Sequence, residues 1–310
     1  MSHSNPVTNK IFILILILGA PLWADSESNE TRSVANNFGR DQIHAWAFTN
    51  FDIHRSAAER AEMLQRLGFR KAGYIVSKAD AQAAFDDHVV AYQRRGIEMI
   101  SVWWQSTSEN LLEDPKTQMV LAGIDRHEIR PTIWFSLAKS LVAEIPEEER
   151  VDRAVAIIRP LAIETRKRGI GLALYNHMEW FGETENQIAI IERLREEGDM
   201  DHVGIVYNMH HGHDRIVNFS AVFARMQPYL IAFNLNGMRI EGPKIIRLGE
   251  GDREAGMIKT VIDSGFEGPI GILHHFARQD AEPVYRANMQ GLKSILIELG
   301  YDAVAASYVD

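Results

Sequence analysis

The chain has 310 residues, of which 46% are hydrophobic and 24% charged, and this ordinary mixture argues against a disordered, collagen-like or coiled-coil protein. The 33 basic and 42 acidic residues give a net charge of −9, which disfavours nucleic acid as a partner because an acidic surface repels phosphate backbones. There is no cysteine, so disulfides, thiol catalysis, zinc–thiolate sites and iron–sulfur clusters are excluded.

The first 24 residues have the pattern of a secretory signal peptide. A polar start ends at Lys10, an unbroken apolar run covers residues 11–18, and the small residue Ala24 precedes a polar stretch. This run is shorter than the roughly 20 residues of a bilayer span, although an uncleaved anchor is the alternative. We therefore expect residues 1–24 to be removed, residues 25–40 to form a polar leader, and the protein to be exported, periplasmic or secreted, without a stable membrane span.

From residue 42 onward, short apolar segments alternate with amphipathic ones. The apolar segments are typical of buried parallel strands and cover residues 42–48, 71–77, 97–104, 131–136, 170–175, 203–207, 230–235 and 269–273. The clearest amphipathic segments have helical spacing and each ends at a glycine: 57–67, 79–95, 147–168, 185–197, 254–264 and 282–299. Two further helices, after the third and sixth strands, have weaker patterns.

Eight such units predict an α/β fold, a closed (β/α)8 TIM barrel that forms a single domain over residues 41–303, with residues 304–310 as a tail. An open doubly wound sheet is the alternative. It would normally have a glycine-rich phosphate turn after the first strand, and residues 44–50 contain no glycine. Barrel active sites lie at the C-terminal ends of the strands, so we expect functional residues there.

Histidines concentrate at these strand ends. Seven of the twelve lie on a predicted strand or just beyond it: His44, His177, His210, His211, His213, His274 and His275. A single histidine is more commonly a packing residue, but the clustering favours metal ligation or proton transfer. Neighbours on an extended chain point to opposite faces, so we expect at most one of His210 and His211, and one of His274 and His275, to face the pocket.

Aromatic and polar residues follow the same strand ends. Trp46, Trp103 and Trp134 are candidates for stacking on a sugar ring, although core packing explains Trp46 and Trp134 equally well. Of the adjacent Trp103 and Trp104, one should face the pocket and the other the helices. The polar candidates for substrate binding are His44, Asn208, Asn234, Asn236 and Arg239.

Four motifs resemble the xylose isomerase-like TIM barrels, the AP endonuclease 2 superfamily, which includes sugar phosphate isomerases and epimerases, inosose dehydratases and endonuclease IV. The motifs are LALYNHMEWFGETEN (Leu172–Asn186), VGIVYNMHHGH (Val203–His213), NLNGM (Asn234–Met238) and GPIGILHH (Gly268–His275). The likeness covers about residues 41–300 and is closest to secreted sugar phosphate isomerase/epimerase-like proteins of bacteria. It implies a small-molecule carbohydrate substrate and, by analogy with other barrels, allows a homo-oligomer.

The resemblance also implies a divalent metal held by Glu, Asp, His and Glu from strands 5 to 8. At the matching positions this sequence has Tyr175, Asn208, Asn234 or Asn236, and His274 or His275. His211 matches a histidine that in the family contacts the substrate or supports the ligands. We therefore expect a divalent metal, if bound, to use His177, His211 and His275, which favours zinc, cobalt, nickel or iron(II) over magnesium or manganese. A metal-free pocket is the alternative, and no organic cofactor is expected.

These observations predict an exported carbohydrate isomerase or epimerase that removes a proton beside a sugar carbonyl and forms an enediolate. The candidate catalytic residues are His177, His210 and Glu183 as bases and Tyr175 as an acid or orienting donor. Loss of a leaving group would instead make it a lyase or dehydratase on a keto-sugar or 3-keto-glycoside. The missing carboxylates also allow a non-catalytic sugar-binding barrel, whereas they and the negative charge disfavour an endonuclease IV-like hydrolase.

Overall fold

The computed structural model describes Met1, residue 31 and residues 33–77, 82–177, 179–277 and 279–308. Apart from Met1, the predicted signal peptide over residues 1–24 lies outside the described residues. No helix within the described ranges is long and apolar enough to cross a membrane.

Eight parallel strands form a closed barrel in sequential order, which confirms the predicted (β/α)8 fold. The strands are β1 His44–Trp46, β2 Lys71–Ile75, β3 Glu98–Ser106, β4 Thr132–Leu137, β5 Leu172–Tyr175, β6 Val203–Asn208, β7 Leu230–Leu235 and β8 Ile270–Leu273. The ring closes where β1 pairs with β8, with Ala45 opposite Ile272. This closure excludes the open doubly wound sheet.

Helices follow the strands and surround the barrel. The helices with both ends described are α1 Ala57–Arg66, α2 Gln82–Arg94, α3 Pro115–His127, α4 Arg150–Lys167, α5 Glu179–Gly182, α6 Thr184–Glu196, α7 Phe219–Met226, α8 Glu254–Asp263, α9 Ala281–Glu298 and α10 Asp302–Ala305. Residues 33–38 are also helical. The weakly predicted helices after the third and sixth strands are α3 and α7. Helix α1 begins with a capping box, because Ser56 and Glu59 exchange side-chain and backbone hydrogen bonds.

The packed structure extends beyond the predicted barrel limits of 41 and 303. Phe38, in the predicted polar leader, and Tyr308, in the predicted tail, are both buried. The Tyr308 hydroxyl donates a hydrogen bond to the Phe38 carbonyl oxygen at 2.6 Å. Residues 33–40 and 304–308 therefore pack together beside the barrel. Their few apolar side chains are spread through polar sequence and give no periodic pattern.

The inside of the barrel has its own apolar cluster, separate from the core between the sheet and the helices. Its buried members are Trp46, Ala47, Ile75, Trp134, Ala173, Tyr175, Val206, Ala232 and Leu273. Strand alternation explains which side chains reach it. Trp103 packs against this cluster, whereas Trp104 packs on Phe135 of the other core, with ring centroids 5.8 Å apart. The expectation that this pair would divide between pocket and helices is confirmed.

Candidate active site

A cavity of about 210 Å³ lies at the C-terminal mouth of the barrel. It is lined by Trp46, Ala47, Asn50, Phe51, Ile75, Trp103, Tyr175, His177, His210, His211 and His275. These residues come from six strands or from the loops that follow them. The position is that of a TIM-barrel active site.

Four histidine rings contact one another in the wall of this cavity. The ring centroids of His210 and His211 are 3.7 Å apart, those of His177 and His211 4.7 Å, and those of His210 and His275 5.1 Å. Burial is the main cause that lowers the pKa of each of the four, and repulsion between neighbouring imidazoles adds to it for His210 and His211. The cluster is therefore neutral near pH 7.

The Tyr175 hydroxyl is held in one orientation at the end of β5. It accepts hydrogen bonds from Trp46 Nε1 at 3.2 Å and from Asn208 Nδ2 at 2.5 Å. These two donors occupy both lone pairs of the phenolic oxygen, so its own hydrogen points in a third direction. Burial raises the pKa of Tyr175 to about 12, and the residue lines the cavity. Tyr175 therefore offers the cavity a protonated hydroxyl donor.

Asn208 connects this donor to His210. Its Oδ1 accepts a hydrogen bond from His210 Nδ1 at 3.0 Å, which assigns the imidazole hydrogen to Nδ1 and leaves Nε2 with a lone pair. Asn176 fixes the Asn208 backbone through two further hydrogen bonds. The Asn208 N–H donates to Asn176 Oδ1 at 2.8 Å, and Asn176 Nδ2 donates to the Asn208 carbonyl oxygen at 3.1 Å. One rigidly held amide thus orients both a hydroxyl donor and a base.

The structure brings seven predicted site residues into the cavity lining: Trp46, Trp103, Tyr175, His177, His210, His211 and His275. Both His210 and His211 line it, so the expectation that only one would do so was wrong. The strand ends at Asn208, and the tight 3₁₀ turns of Met209–Arg215 do not alternate side chains between two faces. For the second pair the expectation is confirmed, because His275 lines the cavity whereas His274 is fully buried.

Three residues predicted to bind substrate lie inside the barrel instead of in the cavity lining. His44, Trp134 and Asn234 are all buried, and the ring centroids of His44 and Trp134 are 5.8 Å apart. Gly271 on β8 allows this arrangement, since a Cβ there would collide with Asn234 Oδ1 and the His44 ring. Two polar side chains, His44 and Asn234, thus lie beside Trp134 in the barrel interior.

Three other predicted residues also lie outside the lining. Glu183 precedes α6 and forms an ion pair with Arg215 at 2.5 Å, and Arg239 forms one with Asp252 at 3.2 Å. The Asn236 side chain donates hydrogen bonds to two backbone carbonyl oxygens of the loop after β7, and so organises that loop. The structure thus assigns these three side chains to local contacts, not to the histidine cavity.

The residues present do not fit the metal site that the resemblance implies. Its four ligand positions carry Tyr175, Asn208, Asn234 or Asn236, and His274 or His275, and the first two are hydrogen-bonded to each other. Among the described residues, no group of three or more His, Asp or Glu side chains could hold a metal ion as arranged. The imidazole ligands predicted from the sequence are His177, His211 and His275. They line one cavity but do not form a ready-made site.

The loop after β1 contributes two residues to the cavity that were not predicted from the sequence. Asn50 and Phe51 line the cavity, and the Phe51 ring centroid lies 4.2 Å from that of His275. Ala47, with a positive φ of 55°, turns the chain directly after the strand. A polar and aromatic segment that follows the first strand of a predicted barrel was the available signal.

No family model and no curated protein matches the chain. Solved structures with the same fold include 3-keto-D-glucoside 4-epimerase from E. coli, at 12% identity and a TM-score of 0.59, covering 83% of this chain and 99% of that chain. A probable 3-DHS dehydratase from Bacillus anthracis matches at 14% identity and 0.60, covering 81% of this chain and 98% of that chain. A xylose isomerase-like TIM barrel protein from Mycobacterium smegmatis, in complex with magnesium, matches at 14% identity and a TM-score of 0.55, covering 88% of this chain and 95% of that chain. From its closed barrel and these structural matches, the chain has the fold of the xylose isomerase-like TIM barrels.

Proposed function

We propose that the protein is a sugar isomerase or epimerase that acts on the carbon next to a carbonyl group through an enediolate. The observation that carries this proposal is the Asn208 amide, which orients the Tyr175 hydroxyl and the His210 imidazole beside one cavity. Enediolate chemistry needs both groups, a base at the C–H bond and a hydrogen-bond donor where negative charge develops on oxygen.

In the proposed mechanism, Tyr175 donates a hydrogen bond to the carbonyl oxygen. His210 Nε2 removes the proton from the adjacent carbon, and the C–H electrons move to form the enediolate. Return of a proton to the former carbonyl carbon, together with transfer of the proton of the adjacent hydroxyl to the former carbonyl oxygen, gives the isomer. Return of a proton to the opposite face of the original carbon, with the carbonyl re-formed at its first position, gives the epimer. The rings of Trp46 and Trp103 supply apolar faces for the sugar.

The similar structures support this proposal at the level of fold, since one is named an epimerase of a keto-glucoside and another a probable dehydratase. Loss of a leaving group from the same enediolate would make the protein a lyase, and identification of the products separates the two reactions. We assign no step to a metal, because the side chains do not fit one. Elemental analysis tests the binding of zinc, cobalt, nickel or iron by the three imidazoles that was predicted from the sequence.

We also propose that the protein is exported, on the strength of the signal-like pattern over residues 1–24. The test is N-terminal sequencing of protein recovered from fractionated cells. A mature N-terminus at Asp25 in the periplasm or medium supports the proposal, and an intact Met1 in the cytoplasm contradicts it.

The enzymatic proposal is tested by solvent deuterium exchange. The protein is incubated in D₂O with D-fructose, D-tagatose and methyl 3-keto-glucoside, and deuterium beside the carbonyl is followed by NMR. We expect exchange in at least one sugar, reduced about 100-fold or more in His210→Gln. The matched control is His202→Gln, since His202 lies outside the cavity and contacts Thr165 and Ala162. Sugar binding without any exchange would instead indicate a non-catalytic sugar-binding barrel.

A further inference from the structure

We propose that Trp103 and Gln105 form a second sugar-binding subsite beside the histidine cavity, and that the substrate is therefore a neutral glycoside with at least two rings. This inference rests on the proposed function, which places the reacting sugar in the histidine cavity. It adds the class of substrate and a residue, Gln105, to which the proposed reaction gives no role.

Two further hollows adjoin the histidine cavity along the end of β3. The larger, about 730 Å³, shares Trp103 and Asn50 with the cavity, and the smaller, about 280 Å³, shares His177 with it. Gln105 lines both hollows. The three spaces are therefore neighbours around the C-terminal part of one strand.

The volumes indicate how a ligand would divide between these spaces. Pockets that enclose drug-sized ligands measure about 300–1,000 Å³. The histidine cavity, at about 210 Å³, is smaller and suits one ring, whereas the larger hollow, at about 730 Å³, lies within that range. A monosaccharide in the cavity would leave the larger hollow unused.

The side chains at the junction are those that recognise sugars. Trp103 and Gln105 are two residues apart on β3, so both point to the same side of the strand. The half-buried Trp103 ring lines the larger hollow and can stack on a sugar. Its Nε1 donates a hydrogen bond to Ser136 Oγ at 3.1 Å, which fixes the ring orientation. Within the described chain the Gln105 amide has no hydrogen-bond partner, so its donor and acceptor are both available for hydroxyl groups.

The charges around the hollows favour a neutral ligand. The larger hollow is lined by two carboxylates, Glu113 and Asp114, and one ammonium group, Lys116. In the smaller hollow, Lys139 lies 3.3 Å from Glu179, so the two charges compensate each other. A phosphate group would need several cations in excess, as an arginine or lysine cluster provides. The described lining offers no such excess, and a hydroxyl-rich second ring fits it better than a sugar phosphate.

The inference is tested by isothermal titration calorimetry with glucose, maltose, cellobiose, trehalose, sucrose and glucose 6-phosphate. We expect at least one disaccharide to bind about tenfold more tightly than glucose, because a second ring adds stacking and hydrogen bonds. Glucose 6-phosphate should bind no more tightly than glucose. If no disaccharide exceeds glucose, the subsite is ruled out.

Two variants locate the effect. Gln105→Ala removes the free amide, and Thr107→Trp fills the larger hollow from an exposed position. Both should reduce the disaccharide advantage to about threefold or less while glucose affinity stays within about twofold. Gln93→Ala, an exposed glutamine on α2, is the matched control and should retain the full advantage. An advantage that persists in both test variants would overturn the assignment.

Failure of this inference is distinguishable from failure of the proposed reaction. Deuterium exchange without a disaccharide preference removes the second subsite and leaves the enediolate chemistry intact. A disaccharide preference that Gln105→Ala abolishes, in a protein that exchanges no deuterium, supports the subsite and removes the reaction.

Discussion

The Trp46 indole nitrogen donates a hydrogen bond to the Tyr175 hydroxyl at 3.2 Å and so joins the first barrel strand to the fifth. Trp46 is buried and cannot accept a hydrogen bond through its indole N–H, so the direction of this contact is fixed. It leaves the phenolic hydrogen free for a substrate oxygen. A neutral donor therefore occupies the strand-5 position at which the resemblance implies a metal-binding carboxylate.

Replacement of Tyr175 by Phe tests this donor. We expect kcat to fall about 100-fold and KM to change less than about threefold, because the lost hydrogen bond is strongest when the carbonyl oxygen becomes charged. Steady-state kinetics on the sugar that shows exchange gives both values. Tyr207→Phe is the control, since Tyr207 is also buried but stacks on Phe233 away from the cavity. Equal losses in the two variants would show a structural role only.

Replacement of Asn208 by Asp should change the pH dependence. A carboxylate beside His210 Nδ1 favours the imidazolium, so the pKa of His210 rises. As the pH falls, His210 then becomes protonated, and unable to act as a base, at a higher pH than in the wild type. We expect the acidic limb of the kcat/KM profile to move up by about one pH unit or more. Asn218→Asp, at an exposed position before α7, should leave the profile unchanged. An unshifted limb in Asn208→Asp would remove His210 as the base.

Acid should destabilise the protein through its buried histidines. Burial lowers the pKa of His44 from 6.5 to about 3, so between these values the unfolded chain binds a proton that the folded chain does not. Stability therefore falls as pH decreases below 6.5, by about 1.4 kcal/mol per pH unit for this one group. Urea unfolding of wild type and His44→Gln between pH 7.5 and 5 measures it. In the variant, the free energy of unfolding should fall less steeply with decreasing pH, because the contribution of this one proton is lost. Parallel curves of unfolding free energy against pH for the two proteins would contradict the prediction.

The Arg55 side chain should stabilise the loop that carries Asn50 and Phe51. It lies 3.0 Å from Asp52 and 2.9 Å from Asp280 at the start of α9, and the Asp52 side chain is only 1% exposed. Arg55→Ala leaves a buried carboxylate without its partner and should cost about 3 kcal/mol in urea unfolding.

Two further variants check this effect. In Arg55→Ala, the additional change Asp52→Asn should restore part of the lost stability, because it removes the unpaired charge. Arg66→Ala breaks a more exposed pair with Glu282, in which the arginine side chain is 49% exposed, and should cost less than about 1 kcal/mol. Similar costs for both arginines would show that burial of Asp52 does not matter.

Elemental analysis tests the metal prediction. Because the four family positions and the three imidazoles do not form a ligand group among the described residues, we expect well under one metal ion per chain after purification without chelators. Deuterium exchange should likewise persist in EDTA. One equivalent of zinc, cobalt, nickel or iron that is lost in both His177→Ala and His275→Ala would show that the imidazoles rearrange to bind it.

The sequence predicted the barrel because eight short apolar segments alternate with amphipathic segments, six of which end at a glycine. It also predicted side-chain direction wherever a strand continues, as at Trp103 and Trp104. The prediction for His210 and His211 was wrong because the chain leaves extended geometry directly after Asn208. Local patterns do not report such turns.

Some predicted site residues form ion pairs with residues that are distant in the sequence, and these contacts limited how well the site could be predicted. Glu183 is 32 residues from its partner Arg215, and Arg239 is 13 residues from Asp252. No spacing rule connects such residues, so their ion pairs could not be anticipated. The neighbouring hollows that Gln105 lines depend in the same way on the packing of several loops.

The shared Asn208 amide has a stereochemical consequence. Because Nδ1 of His210 is engaged, a proton taken up by this residue sits on Nε2 and can return only to the face of the sugar from which it came. If His210 acts alone, part of the original hydrogen reappears in the product by internal return. Inversion at that carbon instead requires a second imidazole, and the hydrogen then comes from solvent. The ratio of retained to exchanged label thus distinguishes a one-base isomerase from a two-base epimerase.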